Sequence, residues 1–220
     1  MRSRTLIAAC LAALVLVVGV FYASRAVLVR SFADIEADTA RQSIERVRRA
    51  LEAELRQLEI STFDYAEWDD TYDHAAGRLP DFAASSFTRA TLNARRLDLV
   101  WVVDTEGRTV SALGLDDTAA GGVAPLPAKL IAQLEQNLPL LRPQRRRAEP
   151  PLKLMRLADR ALAFAAVPIL RSDGSGPSAG TLVFGRYLGK ALASHLAETT
   201  QLPVEMTFLD DYGSSSSRLP

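Results

Sequence analysis

The sequence predicts an α+β chain in which one domain stands on a long helical stalk. Three features of its 220 residues predict this. An uncharged apolar run from Leu6 to Ala23 comes first. Helical spacing without glycine or proline then fills Arg25 to Ala76. Beyond Leu97, β-branched and aromatic runs bounded by turn residues alternate with helical stretches.

Residues 6–23 read LIAACLAALVLVVGVFYA. At about 1.5 Å per residue they rise roughly 27 Å, close to the roughly 30 Å hydrocarbon core of a bilayer. One transmembrane helix is therefore expected, after a short cytoplasmic N-terminus at residues 1–5. Arg2 and Arg4 precede it and Arg25 and Arg30 follow, and a long domain after a first apolar helix is normally exported. Cys10 follows Ile7-Ala8-Ala9 in the form of a lipidation box, but too few apolar residues precede it to make a signal core. The run also exceeds an ordinary signal core, and its only cleavage site, Ala23-Ser24-Arg25, is awkward. An uncleaved, single-pass anchor in the inner (cell) membrane is expected, with the rest of the chain in the periplasm or outside the cell.

The stalk helix is expected over residues 24–60. Ile35, Ile44, Val47, Leu51, Leu55 and Leu58 recur at helical spacing, and Ile44, Val47, Leu51 and Leu58 approximate a short heptad seam flanked by charges. The seam suits either packing on its own domain or a homodimer. Leu79-Pro80-Asp81 ends the helical stretch and starts another helix through Leu92. Leu97 to Val103, the turn Asp104-Thr105-Glu106-Gly107 and Arg108 to Ala112 predict a β-hairpin. A proline-started helix over Pro125 to Leu138 follows, then an Arg- and Pro-rich loop from Leu141 to Pro151. Strands at Leu152–Leu157, Ala161–Leu170 and Thr181–Leu188 enclose a glycine-rich turn, and a helix from Lys190 to Thr200 precedes a short apolar run at Val204–Leu209. The sheet is expected to be mixed, and residues 211–220 form a low-complexity tail.

Composition narrows the function. Equal numbers of basic and acidic residues, 26 of each, leave no global field for nucleic acid, and a single cysteine excludes an internal disulfide framework and a Cys-based zinc site. The neutrality is local cancellation: residues 1–60 carry +2, 61–120 carry −6 and 121–220 carry +4. The acidic block holds the most unusual stretch, Asp64-Tyr65-Ala66-Glu67-Trp68-Asp69-Asp70-Thr71-Tyr72-Asp73-His74. On a helix Tyr65, Trp68 and Tyr72 share one face with Asp69 and Asp73 beside them, so aromatic walls and anionic acceptors come together. That combination suits an amine-bearing ligand or a polar molecule stacked on rings. The competing expectation is that the aromatics are core anchors and the aspartates caps or arginine partners.

The Asp-aromatic-Ala-x-Trp-Asp-Asp-Thr-Tyr string resembles the hallmark of the type-four CHASE family of extracytoplasmic sensory domains. The acidic-tipped hairpin, Val167-Pro168-Ile169 and Gly180-Thr181-Leu182-Val183-Phe184-Gly185 follow in the order of that family, and the resemblance covers roughly residues 55–210. It implies a PAS-like sensor domain between two membrane helices, serving a diguanylate cyclase, phosphodiesterase or histidine kinase output. The sequence ends at Pro220 with neither a second span nor an output, so a fragment or a receptor remnant is expected. The implied function is a membrane-anchored input domain, not an enzyme and without cofactor, whose partners are a small-molecule ligand, the membrane and a second copy along the stalk. Asp64, Tyr65, Trp68, Asp69, Asp70 and Tyr72 are the ligand-binding candidates.

Weaker signals point elsewhere. Gly176-Pro177-Ser178-Ala179-Gly180 has the form of a hydrolase nucleophile elbow, but a strand-like segment follows where a helix is required. An exported serine hydrolase using Ser178, or a purely structural anchored protein, are the alternatives. Asp69, Asp70, Asp73 and His74 lack calcium-loop spacing. His195 has no matching His or Cys nearby and is expected to be a surface or packed histidine. Arg142, Arg145, Arg146 and Arg147 form a basic loop suited to solvent or to an anionic lipid or ligand.

Overall fold

The computed structural model describes residues 2–137 and 152–206; in residues 2–37 it describes side chains only at Leu14, 16–22, Ser24 and Arg25. The arginine loop, the run after Met206 and the C-terminal tail lie outside the described residues, as do most side chains of the apolar run. Among the described residues, no helix is long and apolar enough to cross a membrane.

Two units divide the chain after Arg48. The first is helical throughout, part of α1 (Arg2–Ala66), with exposed i,i+3 ion pairs at Asp38–Arg41 and Glu45–Arg48. Ile44 of the expected seam is 70% exposed.

In the second unit α1 continues to Ala66 and stops. Its expected extension breaks at Glu67–Trp68, where Trp68 turns extended and α2 (Asp69–Ala75) begins with Asp69 and Asp70 in its first turn. Carboxylates there oppose the positive helix end, so the acidic run starts a new helix as readily as it continues the old one. The second expected helix is also two: α3 (Phe82–Ser86) and α4 (Arg89–Arg95). The Thr88 hydroxyl caps α4 by accepting the Thr91 amide.

Six strands follow: β1 (Leu99–Asp104), β2 (Thr109–Leu115), β3 (Val123–Pro125), β4 (Leu152–Leu157), β5 (Arg160–Ile169) and β6 (Gly180–Tyr187). Their order is β3-β2-β1-β6-β5-β4 and every pairing is antiparallel, which corrects the expectation of a mixed sheet. The β1–β2, β4–β5 and β5–β6 connections are hairpins, and the long return places β6 antiparallel beside β1. Asp104 holds the β1–β2 turn by accepting the amides of Glu106 and Arg108. At the β4–β5 turn, Ala158 and Asp159 are both left-handed, the twist a two-residue hairpin needs.

Both faces of the sheet are covered, which is why β1 reads as an unbroken apolar run. Val100, Val102, Ala165, Val167, Leu182 and Phe184 face Leu58, Tyr65, Phe87 and Leu92 of the N-terminal helical layer. Leu99, Trp101, Val103, Phe164 and Val183 face the other way, toward Leu134, Leu130 and Ile131 of α5 (Ala128–Gln136). The short strand β3 was not expected; it ends on Pro125, read as the first residue of a helix, and α5 starts only at Ala128, after Pro127. Finally α6 (Lys190–Thr200) follows β6, and its His195 reaches Glu54 of α1.

Candidate functional site

The aromatic-acidic string occupies the break between α1 and α2. Tyr65 is 6% exposed and stacks on Trp68, with ring centroids 4.3 Å apart, while Trp68 remains 42% exposed. Tyr65 also meets Phe87 and Phe184, each at 5.5 Å, so one face of the stack joins the core and the other meets solvent. Asp64 and Asp70 are exposed on either side of the break.

The remaining members reach across to the β5–β6 connection. Asp69 accepts the Ser172 amide at 3.2 Å and its hydroxyl at 2.8 Å, and Arg171 lies 3.9 Å from the same carboxylate. The Tyr72 hydroxyl donates to the Pro177 carbonyl at 3.3 Å, and the Arg171 guanidinium sits 4.3 Å over the Tyr72 ring. Beneath them the Leu170 amide donates to the Ala66 carbonyl. Asp73 pairs with Arg78. The buried His74 donates from Nδ1 to the Leu79 carbonyl, which leaves Nε2 to meet Ser111. Asp69 and Tyr72 thus clasp the helix break to the glycine-rich turn, and Trp68, Asp64 and Asp70 form the outer surface.

Ser178 lies in that turn. Its hydroxyl donates to the Gly180 carbonyl and accepts the Gly180 amide, and β6 begins at Gly180. A strand stands where a nucleophile elbow requires a helix, which overturns the hydrolase reading of Ser178.

A second constellation gathers where α1 meets the sheet, and sequence reasoning missed it. Glu54 is the hub. It accepts Arg96 Nη1 at 2.6 and 2.8 Å and Arg186 Nη1 at 2.9 Å, and it meets His195 Nε2 at 3.0 Å. The Arg186 side chain is 5% exposed and that of Glu54 15%. Arg186 further donates to the carbonyls of Arg96, Arg95 and Glu54, so its guanidinium is engaged on every nitrogen. Burial alone would raise the Glu54 carboxyl; the Arg96 hydrogen bond and charge, the His195 hydrogen bond and the Arg186 charge outweigh it and hold the group below its ordinary range.

Beside the hub lies a cavity of about 220 Å³, lined by α4, the α4–β1 connection, the ends of β2 and β6, and α6. None of Asp64, Tyr65, Trp68, Asp69, Asp70 or Tyr72 lines it; Arg96, Asp98, Arg186 and His195 do. Asp98 accepts the Tyr187 amide at 2.7 Å. Burial pushes its carboxyl above the ordinary value, against the lowering effect of that amide, Arg160 and Arg186. A raised carboxylate penalises the native state only above the unfolded value of 3.8. Asp98→Asn keeps an acceptor for Tyr187 and removes the charge. It is expected to stabilise the ligand-free protein at pH 7 by roughly 1 kcal/mol, about 2–4 °C in Tm, with the advantage gone below the ordinary carboxyl range. Thermal melts of the two proteins at neutral and acid pH check this.

The fold resembles that of a periplasmic domain of known structure. The periplasmic domain of Vibrio cholerae LuxQ superposes with a TM-score of 0.52 at 14% identity, covering 80% of this chain and 82% of that one. The periplasmic sensory domain of a Campylobacter jejuni chemoreceptor covers 70% of this chain and 59% of that chain at 11% identity, with a TM-score of 0.40. No curated protein matches the sequence. The CHASE4 domain model matches residues 50–207, well over half of the length, and the chain therefore belongs to the CHASE4 domain family.

Proposed function

We propose that this chain is a membrane-anchored extracytoplasmic input domain that binds a small molecule and passes its occupancy to the membrane through α1. The observation that carries the reading is the hub at Glu54. One residue of α1 is bonded at once to the α4–β1 connection, to β6 and to α6. A ligand that shifts the sheet or α6 therefore acts on α1 directly, through interactions with two discrete states, made or broken. The apolar run from Leu6 to Ala23, in the same helix, supplies the anchor in a single pass of the inner membrane. The stalk over residues 24–60 pairs with a second copy, as the Ile44, Val47, Leu51 and Leu58 spacing supports.

The ligand surface in this reading is the outer side of the string. Trp68 gives a half-exposed indole, Asp64 and Asp70 give exposed carboxylates beside it, and Tyr65, Asp69 and Tyr72 hold the surface in place. Trp68→Ala is expected to cost about 1 kcal/mol, the worth of one ring stack, and to abolish the thermal shifts of ligands that bind at the string. A metabolite screen by thermal shift on the 220-residue chain reads both. If no compound shifts the wild-type protein while Trp68→Ala only lowers its Tm, the string is a clasp and not a ligand surface. The anchor is tested separately: alkaline phosphatase fused after Pro220 is expected to be active, and an inactive fusion would overturn the exported orientation.

A further inference from the structure

Besides Tyr187, the cavity between α4 and α6 has four charged or titratable side chains in its wall, and three of them are engaged with Glu54. Arg186 donates from all three guanidinium nitrogens to Glu54 and to the Arg95, Arg96 and Glu54 carbonyls, Arg96 donates to both Glu54 oxygens, and His195 meets Glu54 as well. Asp98 is the exception. Its Oδ2 accepts one backbone amide, its charge is felt by Arg160 and Arg186, and among the described residues it forms no ion pair. Leu92, Leu97, Leu115 and Leu192 line the same space. A carboxylate in an apolar wall is an acceptor that gains most from a cation brought in by a ligand.

We infer that this cavity is a binding site for a small aliphatic amine, with the ammonium on Asp98 and the hydrocarbon part against Leu92, Leu97, Leu115 and Leu192. The size agrees. A dry cavity of about 150 Å³ holds benzene, so about 220 Å³ takes roughly six to nine non-hydrogen atoms. Leu115 and Ala191 are exposed lining residues and mark the mouth. An anionic ligand is disfavoured, because every Arg186 guanidinium nitrogen already donates to Glu54 or a backbone carbonyl while the Asp98 charge repels it. The binding stands apart from the proposed function: an amine can fill the cavity whether or not the string takes a ligand or α1 is anchored. Its effect on α1 does rest on that reading, through the shared wall of Arg96, Arg186 and His195.

The test uses 3-methylbutylamine, with 3-methylbutanol and 3-methylbutanoate as isosteric controls, titrated calorimetrically into the 220-residue chain in detergent at neutral pH. Saturable amine binding is expected, at least tenfold weaker for the alcohol and absent for the carboxylate. Asp98→Asn is expected to weaken the amine at least tenfold with its circular dichroism unchanged, and Trp68→Ala to leave it unaltered. Ala191→Phe, at the exposed rim, is expected to block entry without touching any charge, and it decides the matter if Asp98→Asn misfolds. No saturable binding, equal binding of amine and alcohol, preference for the carboxylate, or binding that survives Ala191→Phe overturns the site. Loss of binding in Trp68→Ala would move the amine to the string and overturn it equally.

Discussion

Replacing Glu54 by alanine is expected to destabilise the domain by about 3–5 kcal/mol, the usual consequence of stranding a buried charge. The partner left behind is Arg186, whose side chain is 5% exposed in the folded domain. Arg96 is half exposed and rehydrates, so it adds little. Urea unfolding of the variant and the parent chain measures the loss. A double variant, Glu54→Leu with Arg186→Met, is expected to recover most of it, because an apolar pair of similar volume needs no desolvation of charge. Recovery in the double variant separates a stranded charge from a simple packing defect, which two large changes would only deepen.

The same hub contributes to the acid sensitivity of the domain. The folded-state carboxyl of Glu54 titrates below its ordinary value of 4.5, so its contribution is fully present above that value. It is lost as pH falls from the ordinary value through the depressed one. The parent chain is therefore expected to lose stability across that window while Glu54→Gln, which has no carboxyl there to titrate, varies less. Parallel urea titrations of the two proteins between neutral and acid pH check the difference.

The limits of the sequence lie in how charge is placed on the sheet. Strand runs such as Leu99 to Val103 and Leu182 to Phe184 declare themselves because both faces are buried and every position is apolar. The acidic-tipped hairpin was legible because Asp104 and Gly107 have the local chemistry of a turn. The break at Trp68 was not, since helix continuation and a fresh start with Asp69 and Asp70 are locally equivalent. Only the bond from the Leu170 amide to the Ala66 carbonyl and the Asp69–Ser172 contacts select the second. The hub had a signal that periodicity carries. Leu182, Phe184 and Arg186 alternate onto one face, and so do Asp98, Val100 and Val102, so each series ends on a charge where an apolar residue is due. Two such charges at one end of adjacent strands mark a buried polar site. Which helix supplies the answering carboxylate is a long-range fact, 132 residues away in the case of Glu54 and Arg186, and no local pattern encodes it.

Gly180→Ala is expected to lower stability by roughly 3 kcal/mol or more, because strain in φ and overpacking each contribute about 1–3 kcal/mol. Gly180 opens β6 between Asp104 of β1 and Ile169 of β5, so it is held by a strand on each side. Its φ is +152°, and a Cβ there would lie 2.0 Å from the Val103 carbonyl oxygen and 3.1 Å from the Asp104 Cα. Both are backbone atoms of the central strand, so no side chain can swing aside to make room. Ser178 adds a further constraint by bonding the amide and carbonyl of the same residue. Gly174 is the internal control: it lies in the same connection at φ +71° with nothing within 4 Å of its Cβ position. Gly174→Ala meets only the left-handed backbone preference, about 1–2 kcal/mol. Thermal melts of both variants are expected to put Gly180→Ala lower by several degrees. Equal melts would mean that the start of β6 relaxes away from Val103. In that case the turn clasped by Asp69 and Tyr72 would be free to move with the string.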